Sequence, residues 1–202
     1  MIEINNIYKN FGDKVIFDNY SVTIDNGEFV VIKGKSGAGK TTLLHMIGRI
    51  EKPDSGEIKL NGKNIFKEYS QKEYFGEKVS FLFQNFALVE GEKVSKNLSL
   101  IPKKNRTEIT MEKALEKVGL NGFEDKVVYQ LSGGEQQRVA LARILMKKSD
   151  VILADEPTGS LDIDNANEVV EILKHMNNEG KTIVVVTHSN IFDPVAAKTI
   201  LI

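Results

Sequence analysis

Apolar positions along this chain follow two periods. Near the start Ile2, Ile4 and Ile7 alternate with polar neighbours, which predicts a strand with one buried face. Val15-Ile16-Phe17 and Ser21-Val22-Thr23-Ile24 predict two more strand pieces, the second closed by the turn Asp25-Asn26-Gly27. Glu57-Ile58-Lys59-Leu60 alternates between the turn Pro53-Asp54-Ser55-Gly56 and the hairpin signal Asn61-Gly62. Four other runs are apolar almost throughout: Phe29–Ile32, Val79–Phe83, Val151–Ala154 and Thr182–Val186. Strands of that kind are buried on both faces, and helices alternate with them, so the pattern predicts a parallel sheet covered on both sides. Thr199–Ile202 reads as a last, peripheral strand that the fold does not depend on.

Helical spacing fills the intervals. Leu43–Ile47 is one such segment. The block from Val94 to Leu120 is another; within it Thr110-Met111-Glu112 opens a helix with Ala114, Leu115 and Val118 on one face, and Gly119 stops it. Asn165–Asn178 is amphipathic, with Val169, Ile172, Leu173 and Met176 on one face. Lys103-Lys104-Asn105-Arg106 reads as a solvated loop. The chain is expected to be one α/β domain over residues 1–202, with its core and β portion in about 1–83 and 150–202 and a small helical subdomain in about 84–149. No repeat or low-complexity tract interrupts it.

Composition narrows the classes. The formal net charge of −1 gives no electrostatic case for nucleic acid or an anionic membrane. The absence of cysteine removes disulfides, thiolate metal sites and thiol nucleophiles. No run of about 18 apolar residues occurs, and Met1-Ile2-Glu3-Ile4-Asn5 has no signal-peptide pattern.

The chemistry concentrates between the Phe29–Ile32 strand and the helix at Leu43. Gly34-Lys35-Ser36-Gly37-Ala38-Gly39-Lys40-Thr41-Thr42 fits G-x-x-x-x-G-K-[ST], the phosphate-binding P-loop, in the strand–loop–helix setting it requires. Gly34, Gly37 and Gly39 let the backbone approach an anion, and the loop N–H groups and helix N-terminus present partial positive charge to it. Lys40 adds a full charge for the β- and γ-phosphates, and the Thr41 hydroxyl suits Mg²⁺. A second stretch is Leu131-Ser132-Gly133-Gly134-Glu135-Gln136-Gln137-Arg138. Ser132 and Glu135 form a capping box ahead of a helix through Val139, Leu141 and Leu145. Two glycines in a first turn are costly for a helix, and they make sense if the N–H groups stay open to a second anion. One nucleotide needs one cradle, so two cradles suggest that each chain completes a site on another copy.

This pair of motifs resembles the ATP-binding-cassette (ABC) ATPases over nearly the whole chain. The resemblance implies a P-loop fold of ABC type: a mostly parallel core sheet with an antiparallel β subdomain and a small helical subdomain. It implies ATP and Mg²⁺, with Gly34, Ser36, Gly37, Ala38, Gly39, Lys40, Thr41 and Thr42 around the phosphates. Phe11 matches the aromatic that stacks on adenine, where tyrosine is commoner. Gln84 is similar to the glutamine that meets Mg²⁺ and the attacking water. Asp155 matches the Walker B aspartate on the metal, and Glu156 matches the catalytic base. His188 matches the switch histidine, and Ser160-Leu161-Asp162 matches the D-loop that crosses the dimer interface. Ser132, Gly133, Gly134 and Glu135 would close on the nucleotide of a head-to-tail partner copy. His45 and His175 have no such counterpart and read as structural or exposed.

Within the family, the P-loop, Glu51–Gly56 and Asp155–Asp162 look most like the lipoprotein-release and macrolide/peptide-export group, and Phe83–Glu90 resembles bacteriocin exporters. That implies a separate transmembrane permease, a place at the cytoplasmic face of the plasma membrane, and export or mechanotransmission on a peptide, lipoprotein or drug. The permease contact is expected near Gln84–Val94, with Phe86, Leu88 and Val89 as anchors. The alternative is a non-transport ATPase that switches a division or cell-wall complex. Family members usually continue past the final strand into a short charged tail, whereas this sequence stops inside or just after it.

Overall fold

The computed structural model describes all 202 residues. Two sheets organise it. The first holds β1 (Ile2–Phe11), β2 (Lys14–Ile24), and later β4 and β5; the second begins with β3 (Phe29–Lys33). After β3 come α1 (Lys40–Ile47), β4 (Ser55–Leu60), β5 (Lys63–Asn64) and α2 (Gln71–Glu73), a single turn that widens into a π turn over Tyr74–Lys78. Then follow β6 (Val79–Leu82), α3 (Val94–Ser99), α4 (Met111–Lys117), α5 (Gly133–Leu145), β7 (Val151–Asp155), α6 (Ile163–Asn178), β8 (Thr182–Val186) and β9 (Lys198–Leu201).

The first sheet runs β2-β1-β4-β5 and is antiparallel throughout. Val15–Phe17 and Ser21–Ile24, expected as separate pieces, are one strand. Ile7 breaks the alternation of Ile2 and Ile4 because Asn6 sits in the left-handed region at φ 49° and the pairing register shifts there. The bulge adds one residue and returns Ile7 to the buried face. Asn61-Gly62 makes the expected hairpin into β5.

The second sheet runs β6-β7-β8-β3-β9 with every neighbour parallel. Its alternation divides two cores. Phe29, Val31, Ile152, Ala154, Ile183 and Val185 face one side, where α3–α6 pack. Val30, Ile32, Val151, Leu153, Val184 and Val186 face the other, against α1 and the isoleucines of the antiparallel sheet. The Val94–Leu120 block is two short helices rather than a continuous one. Between them Lys103–Asn105 forms a 3-10 turn in which Asn105 is buried, and Arg106 donates to the carbonyls of Ser99 and Ile101. The solvated-loop reading therefore holds for Lys103 and Lys104 only.

Candidate nucleotide site

Four adjacent parallel strands end on the same side, and each delivers one part of the site. Beyond β3 comes the P-loop; beyond β6, Gln84; at the end of β7, Asp155 and Glu156; beyond β8, Thr187 and His188. The carboxyl ends of parallel strands are where open α/β sheets form their ligand crevices. Here they enclose a cavity of about 930 Å³ lined by Ser36, Gly37, Gly39, Lys40, Thr41, Thr42, Gln84, Asp155, Glu156 and His188 among others. Gly39 caps α1 at φ 107°, and a Cβ there would sit 2.4 Å from Ile16 of β2, so only glycine lets the hairpin lie over the loop.

The side chains are tied to one another. Lys40 Nζ donates to the Gly34 and Lys35 carbonyls at 3.0 and 2.9 Å, folded back along the loop. The Thr41 hydroxyl donates to Asp155 at 3.1 Å. Burial raises the Asp155 carboxyl above its ordinary range; the Thr41 hydrogen bond opposes that shift. The half-buried Asp155 carboxylate, bonded to the Thr41 hydroxyl and lining the same cavity as Gln84, is a hard-donor set that fits Mg²⁺, which takes one or two protein ligands and completes its shell with phosphate and water. Glu156 has φ 44°, a left-handed conformation that costs a non-glycine residue about 1 kcal/mol or more. Its N–H donates to Val186 O at 2.8 Å. Its carboxylate accepts from Thr187 Oγ1 at 3.0 Å and from the His188 N–H at 3.1 Å, with His188 Nε2 at 3.8 Å.

Other expected residues lie elsewhere. Phe11 is half exposed at the end of β1, outside the cavity lining, with Lys9 Nζ 4.8 Å from its ring centre. It sits on the hairpin whose Lys14 donates to Gly37 O at 3.2 Å and whose Ile16 lines the cavity. Gly34 and Ala38 belong to the loop without lining the space. Ser132, Gly133, Gly134, Glu135 and Asp162 do not line it either. Ser132 and Glu135 form the expected capping box on α5, and Asp162 caps α6. Gly134 is buried, and a Cβ there would meet Asn165 Oδ1 at 2.5 Å, so this glycine is required by helix packing, a reason the sequence does not disclose. Gly133 has open space, with only Phe86 at 3.9 Å. His45 is half-buried in α1, and exposed His175 pairs with Glu179.

The sequence reading missed Thr158, Gly159 and Ser189, which line the cavity. It also missed buried Gln137, whose side chain donates to Pro157 O at 2.9 Å and ties α5 to the segment after Glu156. Thr158, Gly159 and Gln137 lie within stretches already recognised, whereas Ser189 is marked only by its place after His188.

Phe86 and Leu88 pack against the helical-side core, and only Val89 of the three expected anchors is exposed. The open apolar surface lies beside them: a cleft of about 560 Å³ rimmed by exposed Ile50, Phe75 and Leu100, with Phe81 and Phe83 inside.

A glycine-rich anion loop at a helix N-terminus, in a crevice at the ends of parallel strands and facing a hydroxyl and two acids, defines a P-loop nucleoside-triphosphatase cassette. The chain belongs to the ABC transporter family, whose pattern its residues 17–159 match, and it is an ABC ATPase. It is 39% identical over 199 residues to the macrolide export ATP-binding/permease protein MacB of Mannheimia succiniciproducens, covering 93% of this chain and 31% of that protein. The chain thus spans about a third of the length of such relatives. It is 39% identical over 194 residues to the glutamine transport ATP-binding protein GlnQ of Bacillus subtilis, covering 93% of this chain and 80% of that one. The dimeric structure of the bacterial ABC transporter cassette MJ0796 superposes with a TM-score of 0.88 at 33% identity, covering 100% of this chain and 94% of that chain. A dimeric post-hydrolysis state of MJ0796 bound to ADP and Pi gives a TM-score of 0.85 at 31% identity, with the same coverage. No helix of the chain is long and apolar enough to cross a membrane.

Proposed function

We propose that this chain is the ATP-hydrolysing subunit of an export complex, acting on a peptide, lipoprotein or drug through a separate transmembrane permease, at the cytoplasmic face of the plasma membrane. The observation that carries the ATPase reading is the convergence of Lys40, Thr41, Gln84, Asp155, Glu156 and His188 on one cavity. The macrolide export relatives support the export reading.

In this reading the loop N–H groups and Lys40 bind the triphosphate, and Lys40 turns from the Gly34 and Lys35 carbonyls to the γ-phosphate. Thr41, Asp155 and Gln84 would hold Mg²⁺, which supplies positive charge against the phosphate oxygens. Glu156 takes the proton of the attacking water, and His188 steadies the γ-phosphate. Phe11 stacks on adenine. The position of Ser132, Gly133 and Gly134 outside the chain's own cavity supports completion of the site by a second copy, head to tail, with Asp162 near the shared face. The dimeric MJ0796 cassette supports the same assembly. The cleft rimmed by Ile50, Phe75 and Leu100, rather than Phe86 and Leu88, is the apolar surface offered to the permease.

The test is ATPase activity per subunit against protein concentration, beside Glu156→Gln. The expected result is a specific rate that climbs with concentration and a variant that hydrolyses at least about 100-fold more slowly while accumulating as an ATP-bound dimer. A variant that stays monomeric and turns over at the wild-type rate would remove Glu156 from its role.

A further inference from the structure

The side chain that touches Glu156 most directly is one that the nucleotide site does not otherwise use. Thr187 follows β8 and is fully buried. Its hydroxyl donates to Glu156 Oε2 at 3.0 Å and accepts the Ser189 N–H at 3.0 Å, so donor and acceptor are both committed. Its own N–H donates to Ile32 O on β3 at 3.3 Å, which fixes it to the strand that enters the P-loop. The same loop is held to β3 a second time, where Lys33 Nζ donates to Asn190 Oδ1 at 2.8 Å and pairs with Asp193.

Glu156 needs such an anchor. It occupies a strained backbone conformation, its side chain has several rotatable bonds, and a general base works only when its oxygen is aimed at the proton it removes. The His188 N–H alone reaches one carboxylate oxygen at 3.1 Å and the other at 3.4 Å, which leaves rotation about the carboxylate axis weakly defined. The Thr187 hydroxyl adds the contact that selects one orientation.

We propose that Thr187 is a positioning residue that sets the orientation of the Glu156 carboxylate for proton abstraction. The proposal rests on the reading of Glu156 as the base. In the step it serves, the water oxygen bonds to the γ-phosphorus and the bridging P–O bond breaks. Its electron pair leaves with ADP, and the water proton passes to the Glu156 oxygen not held by Thr187. Thr187 does not line the cavity; it acts through Glu156.

Steady-state ATPase kinetics on the purified full chain test this, with thermal melting as a check on folding. Thr187→Val keeps the shape and removes the hydroxyl. It is expected to lower kcat about 10- to 100-fold, the worth of a hydrogen bond to a charged group, with the KM for ATP unchanged. Thr187→Ser restores the hydroxyl and is expected to recover kcat to within about threefold of wild type. In a Glu156→Gln background, Thr187→Val is expected to cost nothing further, because the residue through which it acts has gone. If the valine variant folds poorly, Thr187→Cys, of near-serine size with a weak donor, takes its place and is expected to behave like valine. A kcat within twofold of wild type, a KM that rises as kcat falls, failure of serine to rescue, or full additivity with Glu156→Gln would each overturn the proposal. Full activity in Glu156→Gln alone would instead overturn the assignment of the base.

Discussion

Lys147 shows what a single residue costs when a fold buries its charge. It lies in the apolar cleft, half-buried, and donates to Val79 O at 2.7 Å. The charged group beside it is Arg143, not a carboxylate, and Arg143 is itself occupied by the Ala87 and Phe86 carbonyls. Burial first, and Arg143 second, push the Lys147 ammonium down to about 8. An unfolded lysine keeps its proton to about 10.5. Between those values the unfolded chain holds the extra proton, so stability rises with pH across that window; below about 8 both states are protonated and the penalty stands in full. Urea titrations of wild type and Lys147→Met from pH 7 to 10 are expected to converge upward for wild type, by on the order of 1 kcal/mol or more relative to the variant. Parallel pH profiles would show that the ammonium is better solvated than its place in the cleft implies. The opposite case is Lys9, whose raised value comes from its bonds to Glu51 and Asp54 and whose charge is fully partnered.

At the scale of elements, α5 and α6 meet through their first turns, and two adjacent glycines do different jobs there. A methyl on Gly134 would strike Asn165, which accepts from Arg138 and donates to Asp162. Gly134→Ala is therefore expected to destabilise the fold by about 1–3 kcal/mol, read from the urea midpoint. A methyl on Gly133 meets only open space, so Gly133→Ala is expected to fold as well as wild type or better, by up to about 1 kcal/mol of helix propensity. If Gly133 faces the nucleotide of a second copy, that stable variant should still lose ATPase activity; an active, stable Gly133→Ala would remove it from the site. From sequence the glycines looked alike, because a close approach between helices leaves no local mark. The parallel strands, α1, the capping box and α6 were legible, since each carries its own period or cap. The bulge at Asn6, the buried turn at Asn105 and the Gln137–Pro157 tie were not, because each depends on a neighbour distant in the chain. The candidate site residues that could be read were those fixed to strand ends or to the P-loop; Thr187 sits beside His188 and gives no signal of its own.

At the scale of the whole molecule, the parallel sheet is the wall between two cores, and that bears on whether the helical block is a separate unit. The sequence reads residues 84–149 as a helical subdomain, and Val94, Leu98, Ala114, Leu115, Val139 and Leu141 of that block share one continuous core with Phe29, Val31, Ile152 and Val185 of the sheet and Val169 and Leu173 of α6. Removing the sheet would expose that face of α3–α5 to water at roughly 25 cal/mol per Å² of apolar surface, and helices this short are marginal without tertiary packing. On the other face Tyr74 is buried beside α1, its hydroxyl donating to Ile47 O at 2.5 Å, with Tyr69 at 5.8 Å between ring centres. With no tryptophan in the chain, the near-ultraviolet signal reports mainly the second core, where Tyr20, Tyr69 and Tyr74 pack, since Tyr129 of the helical block is exposed. If the sheet couples the two cores, urea should remove the far-ultraviolet helix signal and the near-ultraviolet tyrosine signal at the same midpoint, to within about 0.2 M for a single cooperative transition. Early loss of the share of the helix signal carried by α3–α5, with the tyrosine signal and the helices α1 and α6 intact, would show that the helical block opens on its own. It could then move against the nucleotide site without unfolding the core that carries it.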